Sequence, residues 1–191
     1  MLLSIAVVAA LNATPTPDQL RNVEVLLSPI EEGPRYVAIR HLPYARQGFE
    51  LIAKDSTLPM VIRARALEGI ASYRDDAAFA RVSAAVDDTS LPVIVRREAL
   101  LGLGIQFQAR ALAVVERVLK TQEDVQFRRI AAITLSRIRT PESMQLAKNA
   151  QFTEKNEVVQ GDIAKSIVAL EKPAFHRPTP VRPPRVVAPR K

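Results

Sequence analysis

Three arginines stand at matching places in this 191-residue chain: Arg63, Arg96 and Arg128, each directly after an apolar residue (Ile62, Val95, Phe127). A guanidinium fork can grip a phosphate or carboxylate through two parallel bonds, so one reading is an anion-binding row. The other is structural: each arginine bonds the carbonyls and the Asp side chain of a neighbouring turn, with Asp55, Asp88 and Asp124 as acceptors. Outside its C-terminal end the chain is close to neutral, which favours the structural ladder. Acidic pairs at Glu31-Glu32, Asp75-Asp76 and Asp87-Asp88 invite acid–base chemistry. Successive residues of a helix do not face one another, and all three pairs fall at turns, where Asp caps the next helix. His41 has no second His or Cys at ligand spacing, and His176 sits alone among prolines. With no cysteine in the chain, thiol nucleophiles, thiolate metal sites and disulfides are excluded. Gly-rich phosphate loops, serine elbows and metal-binding His helices have no counterpart in the sequence. The expectation is a non-enzyme with no catalytic residues, no metal site and no cofactor.

What positions the arginines is an internal repeat. Leu91-Pro92-Val93-Ile94-Val95-Arg96-Arg97-Glu98-Ala99-Leu100 repeats Leu58-Pro59-Met60-Val61-Ile62-Arg63-Ala64-Arg65-Ala66-Leu67, and Gly102 repeats Gly69. Phe127-Arg128 with Ala131 and Leu135 continues the pattern, and Val159-Gln160 with Ile163 and Ile167 ends it. Apolar positions at i, i+4 and i+8 form a helical stripe. A second stripe, Phe79-Val82-Val86, recurs as Leu112-Val115-Leu119. The spacing predicts helix pairs over 44–54 with 59–72, 76–87 with 92–105, 109–120 with 125–139, and 141–150 with 158–171. Pro59 and Pro92 are expected in the first turns of their helices, where the missing amide is harmless. Leu103 is expected in the core beside Ile70 and Leu135, with Leu101 on the exposed side. Gly69 and Gly102 are expected where helices approach closely. Residues 18–42 supply a degenerate first pair.

The apolar-Arg-x-x-Ala-x-x-x-Leu helix after an Asp-bearing turn resembles the HEAT-like repeats, including the subgroup named for phycobilisome lyases, over roughly residues 44–171. The resemblance implies an all-α fold, an α-solenoid of stacked antiparallel helix pairs. About four repeats would follow the N-terminal degenerate pair, each burying the face its neighbour cannot bury alone. It also implies arginine-to-turn ladders. This chain departs from the family spacing, because Asp55 and Asp88 stand eight residues before Arg63 and Arg96, and Asp124 four before Arg128.

The two ends read differently. Leu2–Leu11 is a ten-residue apolar run, too short to span a bilayer and of the length of a secretory leader. No Lys or Arg precedes Arg21. The reading is a signal peptide and linker over residues 1–16, hence export to a periplasm or cell surface. A buried N-terminal helix in a cytoplasmic protein is the alternative. The repeat domain then occupies 17–171. Residues 172–191 hold six of the 14 prolines and six of the 27 bases but none of the 20 acids, so they read as a disordered Pro/Arg-rich tail with polyproline character. Its Pro-x-x-Pro spacing suits an aromatic groove, and a solvated linker is the plainer reading.

Such a domain is expected to be a scaffold or adaptor that binds another protein, with no transmembrane span and no nucleic acid. Second helices line the concave face of such solenoids, which selects Arg65, Glu68, Arg97, Leu101, Arg129 and Lys165 as partner-binding residues. Their mixed chemistry suits a protein better than a polyanion. Nucleic-acid binding through the basic tail is the alternative, and a lyase-type enzyme on the same fold ranks behind it.

Overall fold

In the computed structural model, residues 14–29 and 33–172 are described. The leader-like run, Glu31-Glu32, His176 and the tail beyond Lys172 lie outside the described residues. Among the described residues the chain is all-helical: α1 (Pro17–Leu27), α2 (Tyr36–Ile39), α3 (Ala45–Lys54), α4 (Met60–Ala71), α5 (Asp76–Asp87), α6 (Val93–Phe107), a 3-10 turn (Gln108–Ala111), α7 (Leu112–Thr121), α8 (Val125–Ile138), α9 (Pro141–Thr153) and α10 (Glu157–Glu171). The four predicted pairs are α3 with α4, α5 with α6, α7 with α8 and α9 with α10. The degenerate first pair is reduced to α1 and the single turn α2.

Short polar residues start these helices. Thr16 closes a capping box with Gln19, ahead of Pro17 at the first helical position. Thr140 does the same with Ser143, ahead of Pro141. Asp75, Asp124 and Asn156 accept from first-turn amides of α5, α8 and α10, supplying acceptors that the helix start itself lacks. Pro59 and Pro92 lie one step outside the expected place. They are the N-caps of α4 and α6, extended at ψ 140°, and the helices begin at Met60 and Val93. At the other end, Arg74, Gln108 and Arg139 adopt left-handed φ of 58°, 51° and 53°. Each sits just past a second helix and turns the chain toward the next first helix. That turn, followed by 3-10 geometry, is why α7 begins at Leu112 rather than at 109.

The second helices α4, α6, α8 and α10 pack side by side in chain order, and each first helix packs chiefly on its own partner. The interior is one cluster, with Phe49, Leu67, Ile70, Leu100, Leu103, Phe127, Leu135 and Ile163 fully buried. Leu103, Ile70 and Leu135 thus share the expected core position. Residues 93–121 have the length and apolarity of a membrane span. That run is nevertheless two helices broken at Gln108, and its Val95, Leu100, Leu103, Val115 and Val118 are core residues.

Glycine placement sets two close approaches. A methyl on Gly69 would meet the Phe49 ring at 2.7 Å, so α3 reaches α4 only over a bare backbone. At Gly102 the same methyl would lie 3.5 Å from Glu68 Cγ, an ordinary contact, so that glycine is not required for packing. The tight crossing of α6 with α8 is at Gly104, where a methyl would overlap Thr134 Cγ2.

Candidate functional site

The arginine ladder is built mainly onto carbonyls. Arg63 is buried and its Nε donates to the Ala53 carbonyl at 3.2 Å. Arg96 Nε donates to the Val86 carbonyl at 2.9 Å, with its guanidinium 5.2 Å from the centre of the Phe127 ring. In both cases the acceptor is the end of the unit's own first helix, ten residues earlier. Arg128 donates to the Gln122 and Glu123 carbonyls and grips Glu154 at 2.9 and 3.1 Å. The aspartates do something else. Asp55 accepts from the amide and hydroxyl of Thr57, and Asp88 from those of Ser90. Each braces its own turn rather than meeting the arginine. These hydroxyl and amide donors hold both carboxyls below the usual range. Asp124 caps α8 and accepts from Arg97 instead of Arg128.

Acid–base pairs join successive units. Arg46 chelates Asp75 at 2.6 and 2.9 Å, Arg110 meets Asp76 at 2.8 Å, and Arg117 pairs with Asp87. Of the two described acid pairs, only Asp75 is an N-cap; Asp88 ends α5, and Asp76 and Asp87 are ion-pair partners. Arg110 also covers the Phe79 ring at 4.6 Å. The most enclosed pair is Arg128–Glu154, whose side chains are 15% and 8% exposed. Burial pushes the Glu154 carboxyl up, but Arg128 and the amides of Asn156 and Lys155 outweigh it and hold it below the usual range. This pair lies in a cavity of about 550 Å³ that also has Leu119, Leu146 and Asn149 in its wall.

The six residues expected on the second-helix face divide into two groups. Arg97 binds both Asp124 oxygens at 2.7 and 2.6 Å, and Arg129 binds Asp162 at 2.6 Å. Lys165, although exposed, reaches the same Asp162 at 3.2 Å. Arg129 first, then Lys165, keep the Asp162 carboxyl low against the effect of burial. These three basic side chains are therefore engaged within the protein, and Leu101 is half-buried. Arg65 and Glu68 belong together. They line a cavity of about 250 Å³ between α4 and α6, with Met60, Val61, Ile94 and Glu98.

Around that cavity the second-helix face is apolar and open: Val61 is 54% exposed, Ile94 46% and, further along α6, Ile105 42%. Arg65 Nη1 donates to the Leu27 carbonyl at 2.7 Å, which draws its charge toward the end of α1. The Tyr36 hydroxyl donates to Glu68 at 2.7 Å, and burial together with the Glu68 charge pushes that phenol upward. Glu98 is half-buried, and burial and the nearby Glu68 charge raise its carboxyl. Sequence reasoning missed Met60, Val61, Ile94, Ile105 and Glu98. The signal was present in the repeat register, which sets apolar Ile94 against Val61 and acidic Glu98 against basic Arg65. His41 is exposed and lies in a separate groove of about 690 Å³ with Arg35, Arg40, Arg74 and Gln106. Among the described residues no three of His, Asp and Glu gather as a metal-ligand set. Compared with models of known protein families and with curated proteins, the sequence finds no match in either.

Proposed function

We propose that residues 17–171 form an α-solenoid of HEAT-like helix pairs that acts as a non-catalytic, exported scaffold or adaptor, binding another protein on its second-helix face. The observation that carries this reading is the set Val61, Ile94 and Ile105, left open on helices whose opposite sides bury Leu67, Ile70, Leu100 and Leu103. Large apolar side chains left open beside charged ones are a mark of a protein-binding surface. Arg65 and Glu68 are the charged residues of the expected six that remain with these side chains. Arg97, Arg129 and Lys165 support the reading indirectly, by fixing the helices that present it. Export rests on the apolar run Leu2–Leu11.

A photo-cross-linking amino acid placed at Ile94, and separately at Leu51 on α3, tests the assignment in native extract. Protein adducts from position 94 and none from 51 are expected. Equal adduct patterns from the two faces would overturn it. The three arginines that share one groove, Arg35, Arg40 and Arg74, favour a second reading in which the chain binds nucleic acid. Adducts to nucleic acid, with affinity falling steeply as salt rises, would select that reading.

A further inference from the structure

The cavity between α4 and α6 carries a charge pattern that the described residues leave unfinished. Glu68 and Glu98 face the same space and are close enough to act on one another. Glu68 receives only a neutral phenol, and no cation acts on Glu98 strongly enough to offset its burial. The remaining wall is aliphatic: Met60, Val61, Ala64 and Ile94. Arg65, the one cation of the described wall, is held by the Leu27 carbonyl. Such a space suits a cationic side chain whose apolar stem lies along the aliphatic wall while its head meets the carboxylates.

The chain itself contains a segment of that chemistry. Beyond Lys172 come Arg177, Arg182, Arg185, Arg190 and Lys191, interleaved with Val181, Val186 and Val187 and with no acid. We propose that the α4–α6 cavity is the docking site of this C-terminal segment, with the Arg182–Arg185 stretch inserting a guanidinium between Glu68 and Glu98. From α10 to α4 there are three helix-to-helix steps, roughly 24–30 Å in all. Running back along a 15-residue helix adds at most about 22 Å in a perpendicular direction. A separation of up to about 37 Å lies within the roughly 60 Å that the 19 residues after Lys172 can span. Arg182 and Arg185, ten and thirteen residues beyond Lys172, reach about 33 and 43 Å at ~3.3 Å per residue, so Arg185 covers the whole separation and Arg182 all but its upper end. A docked segment would occupy the surface offered to a partner protein, but the docking does not depend on that partner existing.

The experiment uses the full chain and the absence of native cysteine. Val186→Cys provides a unique thiol for a nitroxide label, read through methyl resonances of Val61 and Ile94 against those of Leu51 and Val158. Selective broadening at Val61 and Ile94 is expected. Glu98→Gln should reduce it by roughly 1.5- to 5-fold in docked-to-free ratio, the range for an exposed ion pair, and about 1 M salt should reduce it further. Broadening caused by spin-labelled chains mixed with unlabelled ones would place the same segment in the same cavity of a second copy. Equal broadening at all four residues, broadening greatest at Val158, or no response to Glu98→Gln would overturn the proposal. Glu98→Gln removes no bond that the folded protein makes, so loss of fold does not confuse the result.

Discussion

Gly102 and Gly104 lie two residues apart on α6, and the structure assigns them opposite responses to the same change. Gly→Ala within a helix gains about 0.5–1 kcal/mol, because the glycine backbone gives up more freedom on folding. At Gly102 the added methyl meets Glu68 Cγ at 3.5 Å, and nothing needs to move. Gly102→Ala should therefore stabilise by about 0.5–1 kcal/mol. At Gly104 the methyl overlaps Thr134 Cγ2, and Thr134 is fully buried with its hydroxyl committed to the Ile130 carbonyl at 2.7 Å. Overpacking of this kind costs about 1–3 kcal/mol, so Gly104→Ala should destabilise by up to about 2.5 kcal/mol net of the propensity gain. For a chain of this size each kcal/mol moves Tm by about 2–4 °C, so the two variants should melt several degrees apart. Urea unfolding gives the same comparison free of heat-capacity effects. A double-mutant cycle isolates the cause: Thr134→Ser deletes the obstructing methyl and keeps the hydroxyl. Combined with Gly104→Ala it should recover most of the loss, as coupled neighbours do. Equal stability of the two alanine variants, or no recovery with Thr134→Ser, would refute the α6–α8 approach described above.

Leu103→Ala should destabilise by about 2–5 kcal/mol and half-buried Leu101→Ala by clearly less, measured by urea midpoints; equal losses would mean the wrong face of α6 is buried. Arg139→Gly should stabilise by about 1 kcal/mol, because the left-handed conformation penalises a side chain and not glycine; a lower Tm would refute that account. The Asp75, Asp124, Glu154 and Asp162 carboxyls are held below the ordinary values of 3.8 and 4.5. The folded form therefore binds fewer protons than the unfolded form in the acid range. Their contribution should be complete above about pH 5 and be lost as pH falls through the depressed values; urea midpoints unchanged down to about pH 2 would refute it. Glu98 works in the reverse sense, since its raised carboxyl costs stability as pH rises from 4.5. In a chain ended at Lys172, where no guanidinium of the C-terminal segment can offset that cost, Glu98→Gln should accordingly stabilise near pH 7 and be neutral near pH 4, read by the same midpoints.

Helix positions were legible in the sequence because a stripe such as Phe79-Val82-Val86 records its own period, and repetition in register repeats the signal. Ile70, Leu103 and Leu135 could be assigned to the core for the same reason. The arginines could be located but not their partners. Arg63 and Arg96 bond carbonyls, which every residue carries, so no residue type marks the acceptor. Gly104 was illegible beside the repeating Gly102, because its requirement comes from Thr134, thirty residues away on another helix. The α4–α6 cavity depends on which side of two neighbouring helices stays open. A period reveals that only after the helices have been set against each other.

Every principal helix–helix contact joins elements within three steps of each other along the chain. Closing such short loops demands little chain entropy, and a fold dominated by local contacts assembles quickly. Opening is equally local. No principal contact ties α1 to α10, so either end can detach while the middle stays closed, and amide exchange should be slowest in α6 and α8 and faster toward both ends. Below the global unfolding event, openings of this kind are partial and follow chain order. The terminal helices, each held by neighbours on one side only, should open before the middle ones.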